Sequence, residues 1–179
     1  MITLDKNLCL KSIDTSDGDT LFNLMQTIYP PVYGHLWVDN GDSYLQELYS
    51  ESNLRLELKD PKAYYYFVIF KYKLVGILRV ITNTSMPGVM SNSMVKLQRI
   101  YLSPKIQGKG IGKHILNWIE ETFCKENGAA LWLEVMDSQP QAIGFYENMG
   151  FIKKDAFAYN SSMMKATYRG MYRMIKRFE

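Results

Sequence analysis

The chain has 179 residues, 47% of them hydrophobic and 22% charged, with a net charge of +3. That is enough for one well-buried core and a single domain over 1–179, while the scattered Lys and Arg lack the dense basic stripe of a nucleic-acid binder, so no nucleic-acid partner is expected. Cys9 and Cys124 show neither metal nor disulfide-framework spacing, and no apolar run approaches the roughly 18 residues of a membrane span; with no apolar leader at the N-terminus, the expectation is a cytoplasmic protein without metal or membrane contact.

From Asn7 to Ile13 apolar and polar residues alternate as in a strand, and a cluster of N-cap residues then opens a helix at Leu21. Leu21, Leu24, Met25 and Ile28 recur at helical spacing, and the Pro30-Pro31 pair should stop that helix. An aromatic stretch, "IYPPVYGHLWVDNG", leads into a second amphipathic segment from Ser43 to Tyr49. "AYYYFVIF" and "LVGILRVIT" read as an antiparallel hairpin around Lys71-Tyr72-Lys73, although its turn has no glycine. A loop from Thr82 to Ser93 follows.

"VKLQRIYLS" starts with Val95 and Leu97 on one face and continues with Ile100 and Leu102, which have the opposite parity. Either both faces are buried, the commoner case, or a β-bulge lies near Gln98 to Ile100. Gly110 to Glu126 reads as one long helix with Ile111, Ile115, Ile119 and Phe123 in a row, ending at the Asn127-Gly128 pair. "AALWLEVMD" is a strand, "QPQAIGFYENMG" a short helix closed by Gly150, and "FIKKDAFAY" and "TYRGMYRMIKRF" are the last strands. The order implies a mixed sheet in which early hairpins precede a strand-helix-strand crossover.

The segment "KIQGKGIGKHIL" sets Gly108, Gly110 and Gly112 between a strand and a helix. A P-loop would require glycine at Gln107 and Ser or Thr at His114, and a dinucleotide fingerprint would place its third glycine one residue later. Each glycine sacrifices about 1 kcal/mol of helix propensity relative to alanine, which is easier to understand if bare backbone approaches a ligand. Free amides at a helix N-terminus attract anions such as a pyrophosphate, with Lys105, Lys109 and Lys113 adding charge. A ligand-free glycine turn is the plain alternative.

Gln107-Gly108-Lys109-Gly110-Ile111-Gly112 resembles the Q/R-x-x-G-x-G/A signature of the GCN5-related N-acetyltransferases (GNAT superfamily). "QPQAIGFYENMGF", some thirty residues on, is similar to that family's second signature, N-x-x-A-x-x-F-Y-x-x-x-G-F. The likeness covers roughly Ala63 to the C-terminus (63–179, an acetyl-CoA-binding core), with 1–60 as a variable substrate-side region. It implies an α/β (α+β) fold with a mixed, largely antiparallel central sheet of six to seven strands flanked by helices, and acetyl-CoA (coenzyme A) as cofactor. Backbone groups of Ile100, Tyr101 and Leu102 would contact the acetyl and pantetheine portions beside a bulge. Gln107, Gly108, Lys109, Gly110, Ile111, Gly112 and Lys113 would hold the pyrophosphate, and Gln139, Ala142 and Phe145 would line the arm. Gln139 departs from the family's usual Asn, which alters that contact's reach.

Acetyl transfer needs an uncharged amine, a donor for the developing oxyanion and a proton for the departing thiolate. On the resemblance a bulge N–H supplies the second and Tyr146 the third; its alternative is a core aromatic beside Phe145 and Phe151. Glu134 could accept the amine's proton through water, or it is an ion-paired strand residue. His35 is a further candidate base, whereas His114 reads as a surface residue.

The cofactor half is particularly similar to bacterial diamine and polyamine (spermidine/spermine) acetyltransferases, which implies a small-molecule primary amine as substrate. Tyr29, Tyr33 and Trp37 would form its apolar walls, and Asp39, Asp42, Glu47 and Glu51 an acidic rim or simply exposed helix charges. A protein or peptide N-acetyltransferase, which would need an open groove, and a non-catalytic acyl-CoA sensor are the alternatives. The aromatic C-terminal strands offer a surface for a homodimer.

Overall fold

Strand-prone segments bury their apolar alternation by pairing, and here they pair into one sheet. The structure, a computed structural model, describes residues 1–89, 93–125 and 128–178. Its strands are β1 (Ile2–Asp5), β2 (Leu8–Ser12), β3 (Ala63–Phe70), β4 (Lys73–Ile81), β5 (Met94–Leu102), β6 (Ala130–Met136), β7 (Ile152–Ala158) and β8 (Gly170–Lys176). They lie in the order β1-β2-β3-β4-β5-β6-β8-β7, and only the β5 and β6 pairing is parallel among these contacts. The sheet therefore has eight strands among the described residues rather than six to seven. The strand absent from the sequence reading is β1, whose four residues are too few to show a convincing alternation.

Helices cover both faces. On one side α1 (Gly18–Ile28), α2 (Pro30–Tyr33), α3 (Asp42–Leu48) and α4 (Glu51–Glu57) build a core with Leu21, Met25, Ile28, Leu45, Leu54, Phe67 and Ile77. On the other, α5 (Ile111–Ile119) and α6 (Pro140–Asn148) pack Ile115, Leu116, Ile119 and Ile143 against Val68, Val80, Leu97 and Leu133. Pro30 and Pro31 close α1 as expected but also open α2, where a missing N–H costs nothing; Tyr29 between them keeps helical angles (φ −78°, ψ −52°). The long helix expected from Gly110 to Glu126 is α-helical only to Ile119 and widens into a π-turn over Glu120–Cys124. There buried Glu120 meets Lys176 of β8 at 2.6 Å. Glu126 and Asn127 of the expected helix end, and Met90 to Asn92 of the expected loop, lie outside the described residues.

The β3–β4 hairpin turns as its sequence suggested, at a cost. Lys71 (φ 48°) and Tyr72 (φ 62°) both occupy the left-handed region that a two-residue turn demands and that glycine or asparagine fills more cheaply.

Candidate active site

The parity change in β5 resolves into a bulge. Arg79 of β4 faces Arg99 and Val80 faces Leu97, leaving Gln98 as the extra residue. Because the bulge resets the alternation, Val95, Leu97, Ile100 and Leu102 all reach the same core, although the opposite face of the strand is covered too. Arg99 and Tyr101 consequently face the side of α1 to α4, where Tyr101 packs into the other core.

At the same point β5 parts from β6. Their parallel pairing runs from Met94 and Ala130 to Leu97 and Leu133 and stops there, while β6 continues alongside β8 to Met136. The Ser103 amide donates to the Val75 carbonyl (2.7 Å), so by strand alternation Tyr101 and Arg99 also turn their backbone groups toward β4. Ile100 and Leu102 present theirs to the gap. Among the three residues expected to contact an acyl arm, these two face it through the backbone, and Tyr101 lines it through its side chain.

The gap continues outward as a cleft of about 450 Å³ between β5, the glycine loop and α6, bordered by Gln107, Gly108, Gly112, Gln139, Ala142 and Phe145. Inward it narrows to a slot of about 100 Å³ reaching Gln98, Arg99, Glu134 and Met171. Tyr33, Ile100, Gln139, Ala142 and Tyr146 line both. The outer cleft falls in the range of small-molecule and cofactor sites.

The glycines act in different ways. Gly108 and Gly110 have φ of +75° and +73°, a conformation that a side chain would strain, and a Cβ on Gly108 would meet open space. Gly112 is needed for packing: a Cβ there would come within 3.2 Å of the Phe145 ring, so its absence lets α6 close on the loop. The first turn of α5 closes with the His114 amide on the Gly110 carbonyl (3.1 Å), which leaves the amides of Ile111, Gly112 and Lys113 without helical acceptors. These free donors, the positive end of α5 and the cleft that Gly112 borders suit a pyrophosphate followed by an extended arm. Lys109 lies over the Phe70 ring at 5.7 Å, and His114 is exposed.

Tyr146 sits where α6 crosses the junction of cleft and slot, with 9% of its surface exposed. Its ring packs against Phe145 (5.3 Å) and, edge-on, against Phe151 (5.6 Å), while burial holds its phenol above the ordinary value of 10.0. It is therefore protonated at neutral pH and able to donate. Burial raises Tyr33 and Tyr101 as well, which makes the slot's phenols neutral donors rather than bases.

Of the three aromatics expected as substrate walls only Tyr33 lines the cavities; Tyr29 and Trp37 are buried in the core behind it, in a larger cluster. Tyr29 stacks on Tyr44 (4.9 Å) and meets Tyr101 edge-on (5.3 Å), Tyr33 meets Tyr101 (5.4 Å), and Trp37 leans on Tyr44 (4.8 Å). The Trp37 indole donates to the Tyr29 hydroxyl (3.0 Å), and the Tyr44 and Tyr101 hydroxyls share a hydrogen bond (3.2 Å). The acids do not converge there: Asp39 accepts from the amides of Gly41 and Ser43 at the start of α3, and Glu51 pairs with Arg55. Glu134 reaches the slot but is held by Lys96 (2.9 Å) and Arg173 (3.2 Å). His35 is exposed against Tyr168 and lines neither cavity. Buried Arg79 and Arg99, with Glu57 between them, were not anticipated; 42 residues separate Glu57 from Arg99, so only the parity change near Gln98 hinted at anything here.

The fold and cleft are those of a known group of proteins. The sequence profile described as "Acetyltransferase (GNAT) family" matches residues 19–151, and the chain belongs to that family. An uncharacterized N-acetyltransferase in the pepI 3′ region of Lactobacillus delbrueckii subsp. lactis is 24% identical over 110 residues, 62% of this chain and 64% of that protein. The ribosomal protein bS18-alanine N-acetyltransferase of Escherichia coli K12 is 38% identical over 55 residues, 31% of this chain and 37% of that one. The chain thus spans less than two thirds of these curated relatives.

Among solved structures, the PaiA N-acetyltransferase of Thermoplasma acidophilum in complex with coenzyme A aligns with TM-score 0.71 and 19% identity, covering 96% of this chain and 99% of that one. A chimera of the Vibrio cholerae spermidine N-acetyltransferase SpeG and hSSAT aligns with TM-score 0.67 and 19% identity, over 96% of each chain. At these identities the likeness establishes the fold.

Proposed function

We propose that the protein is an acetyl-CoA-dependent N-acetyltransferase that acts by direct attack of a small-molecule primary amine on the thioester. The observation that carries this reading is the continuous cavity from the glycine loop through the strand gap to the slot, with Tyr146 at its junction. Acetyl-CoA supplies an activated acyl group. The amides of Ile111, Gly112 and Lys113 bind its phosphates, and the cleft walls Gln139, Ala142 and Phe145 orient its arm. The Ile100 amide, turned into the gap by the bulge, is placed to meet charge that develops on the carbonyl oxygen. The Tyr146 phenol would give its proton to the leaving sulfur as the C–S bond breaks, and the proton that the nitrogen sheds on forming the amide would return to the phenolate directly or through water.

No free carboxylate stands in the slot among the described residues, since Glu134 is shared by two cations. The amine therefore arrives uncharged from the small neutral fraction present at pH 7. In a polyamine a second, still protonated amine can rest on an aromatic face while the neutral one reacts, and polyamines head the acceptors to be tried. Val38 and Lys165 amides bond the carbonyls of Met163 and Leu36 (both 2.9 Å), tying the segment after α2 to the loop between β7 and β8. The narrow slot of about 100 Å³ supports a small acceptor over a peptide laid in an open groove. The free thiols Cys9 and Cys124 suit a reducing compartment such as the cytoplasm. Thiol release over a panel of polyamines, aminoglycosides and N-terminal peptides tests this reading; turnover confined to peptides would reverse the acceptor assignment.

A further inference from the structure

We infer that Glu57, the last residue of α4, is a positioning residue that holds the β5 bulge in register for acyl transfer, an inference that rests on the acetyltransferase reading. A bulge is one unpaired residue in a ladder, and nothing in the backbone alone fixes how far it turns. Here the two residues that form it are tied by their side chains. Arg99 bonds the Glu57 carboxylate in two-pronged fashion, Nη1 to Oε2 at 2.8 Å and Nη2 to Oε1 at 2.6 Å. Arg79, directly across the ladder from Arg99, donates to the Gln98 side chain and to the Glu57 carbonyl (3.3 Å), with its Nε 3.8 Å from the same carboxylate.

Both guanidiniums are out of water, with 3% of Arg79 and 8% of Arg99 exposed. Two like charges opposite each other in a ladder repel, and Glu57 is the anion that lets both stay. Gln98 and Arg99 also line the slot, the two residues before the Ile100 amide that faces the gap. The triad thus links an acceptor-side helix to the strand segment that aims that amide. Its net charge is +1, two cations against one anion, so removing Glu57 makes the site more positive. Electrostatics alone would then favour an oxyanion; loss of rate would have to come from loss of geometry.

The test uses Glu57→Gln and the double variant Glu57→Gln/Arg99→Gln, which restores the net charge of +1 without the two-pronged pair and covers the case in which the single variant does not fold. Turnover with the best amine, coenzyme A affinity by calorimetry, and the backbone amide signal of Ile100 are measured for each. Expected are a kcat about 10- to 100-fold lower with coenzyme A affinity within about twofold, together with a displaced Ile100 amide signal in both variants. A double variant with kcat within about threefold of the parent, or an unmoved Ile100 signal, overturns the inference. A parent protein that binds coenzyme A but acetylates nothing sinks the enzyme reading instead, and the amide signals then decide the positioning role by themselves.

Discussion

Replacing Tyr146 by Phe removes one oxygen and little else, because the ring's contacts with Phe145 and Phe151 (5.3 and 5.6 Å) are kept. A neutral hydrogen bond is worth only about 0.5–1.5 kcal/mol net, so the melting temperature should move by no more than a few degrees. Turnover is another matter. A positioned proton donor contributes about 10²- to 10⁴-fold, or roughly 3 to 5 kcal/mol at 1.36 kcal/mol per decade. Steady-state thiol release should therefore show kcat at least about 100-fold lower, with the acetyl-CoA affinity measured by calorimetry within about twofold. Burial raises the phenol above its ordinary 10.0, so the protonated donor form persists to higher pH than for a free tyrosine, and no loss of kcat from its ionisation should appear below about pH 10. A kcat within threefold of the parent, or equal losses of kcat and affinity, would make Tyr146 a packing residue and refute its role as acid.

Because the slot offers neutral phenols and an occupied carboxylate, kcat/KM should rise with a slope near one between about pH 7 and 9, following the free-amine fraction; a plateau starting near pH 7 would point to a side-chain base. Gly112→Val should weaken coenzyme A binding at least tenfold by calorimetry, since its Cβ would press on Phe145 from 3.2 Å. Glu134→Gln leaves Lys96 and Arg173 short of their shared anion; as the Glu134 side chain is 26% exposed, a loss of about 1–2 kcal/mol in urea denaturation is expected rather than the larger cost of a fully buried pair. Lys71→Asn with Tyr72→Gly should raise the melting temperature by about 2–4 °C by relieving two left-handed residues, and calorimetric scanning would detect it.

The glycine loop and the α6 segment were readable in the sequence because each depends on local residues: backbone freedom at Gly108 and Gly110, a small residue opposite Phe145 at Gly112. The bulge was legible as a parity change, but choosing between a bulge and two buried faces needed the register with β4, which no local pattern carries. β1 escaped notice because ITLD is too short, and α4 because ESNLRLE buries only Leu54 and leaves Leu56 in solvent. The π-turn after Ile119 follows the same apolar row as an α-helix would, so periodicity could not reveal it. Above all, Glu57, Arg79 and Arg99 meet only through the tertiary fold, and in the sequence each looks like an ordinary surface charge. Of the acids picked from sequence as a rim, by contrast, Asp39 turned out to accept amides at the start of α3 and Glu51 to pair with Arg55.

The claim on which the rest depends is that the cleft between the glycine loop and α6 takes acetyl-CoA. Isothermal titration of the full chain with acetyl-CoA measures it directly. Saturable binding with one site per chain is predicted, weakened at least tenfold by Gly112→Val and left within about twofold by Tyr146→Phe; no heat of binding over the accessible concentration range would contradict the account.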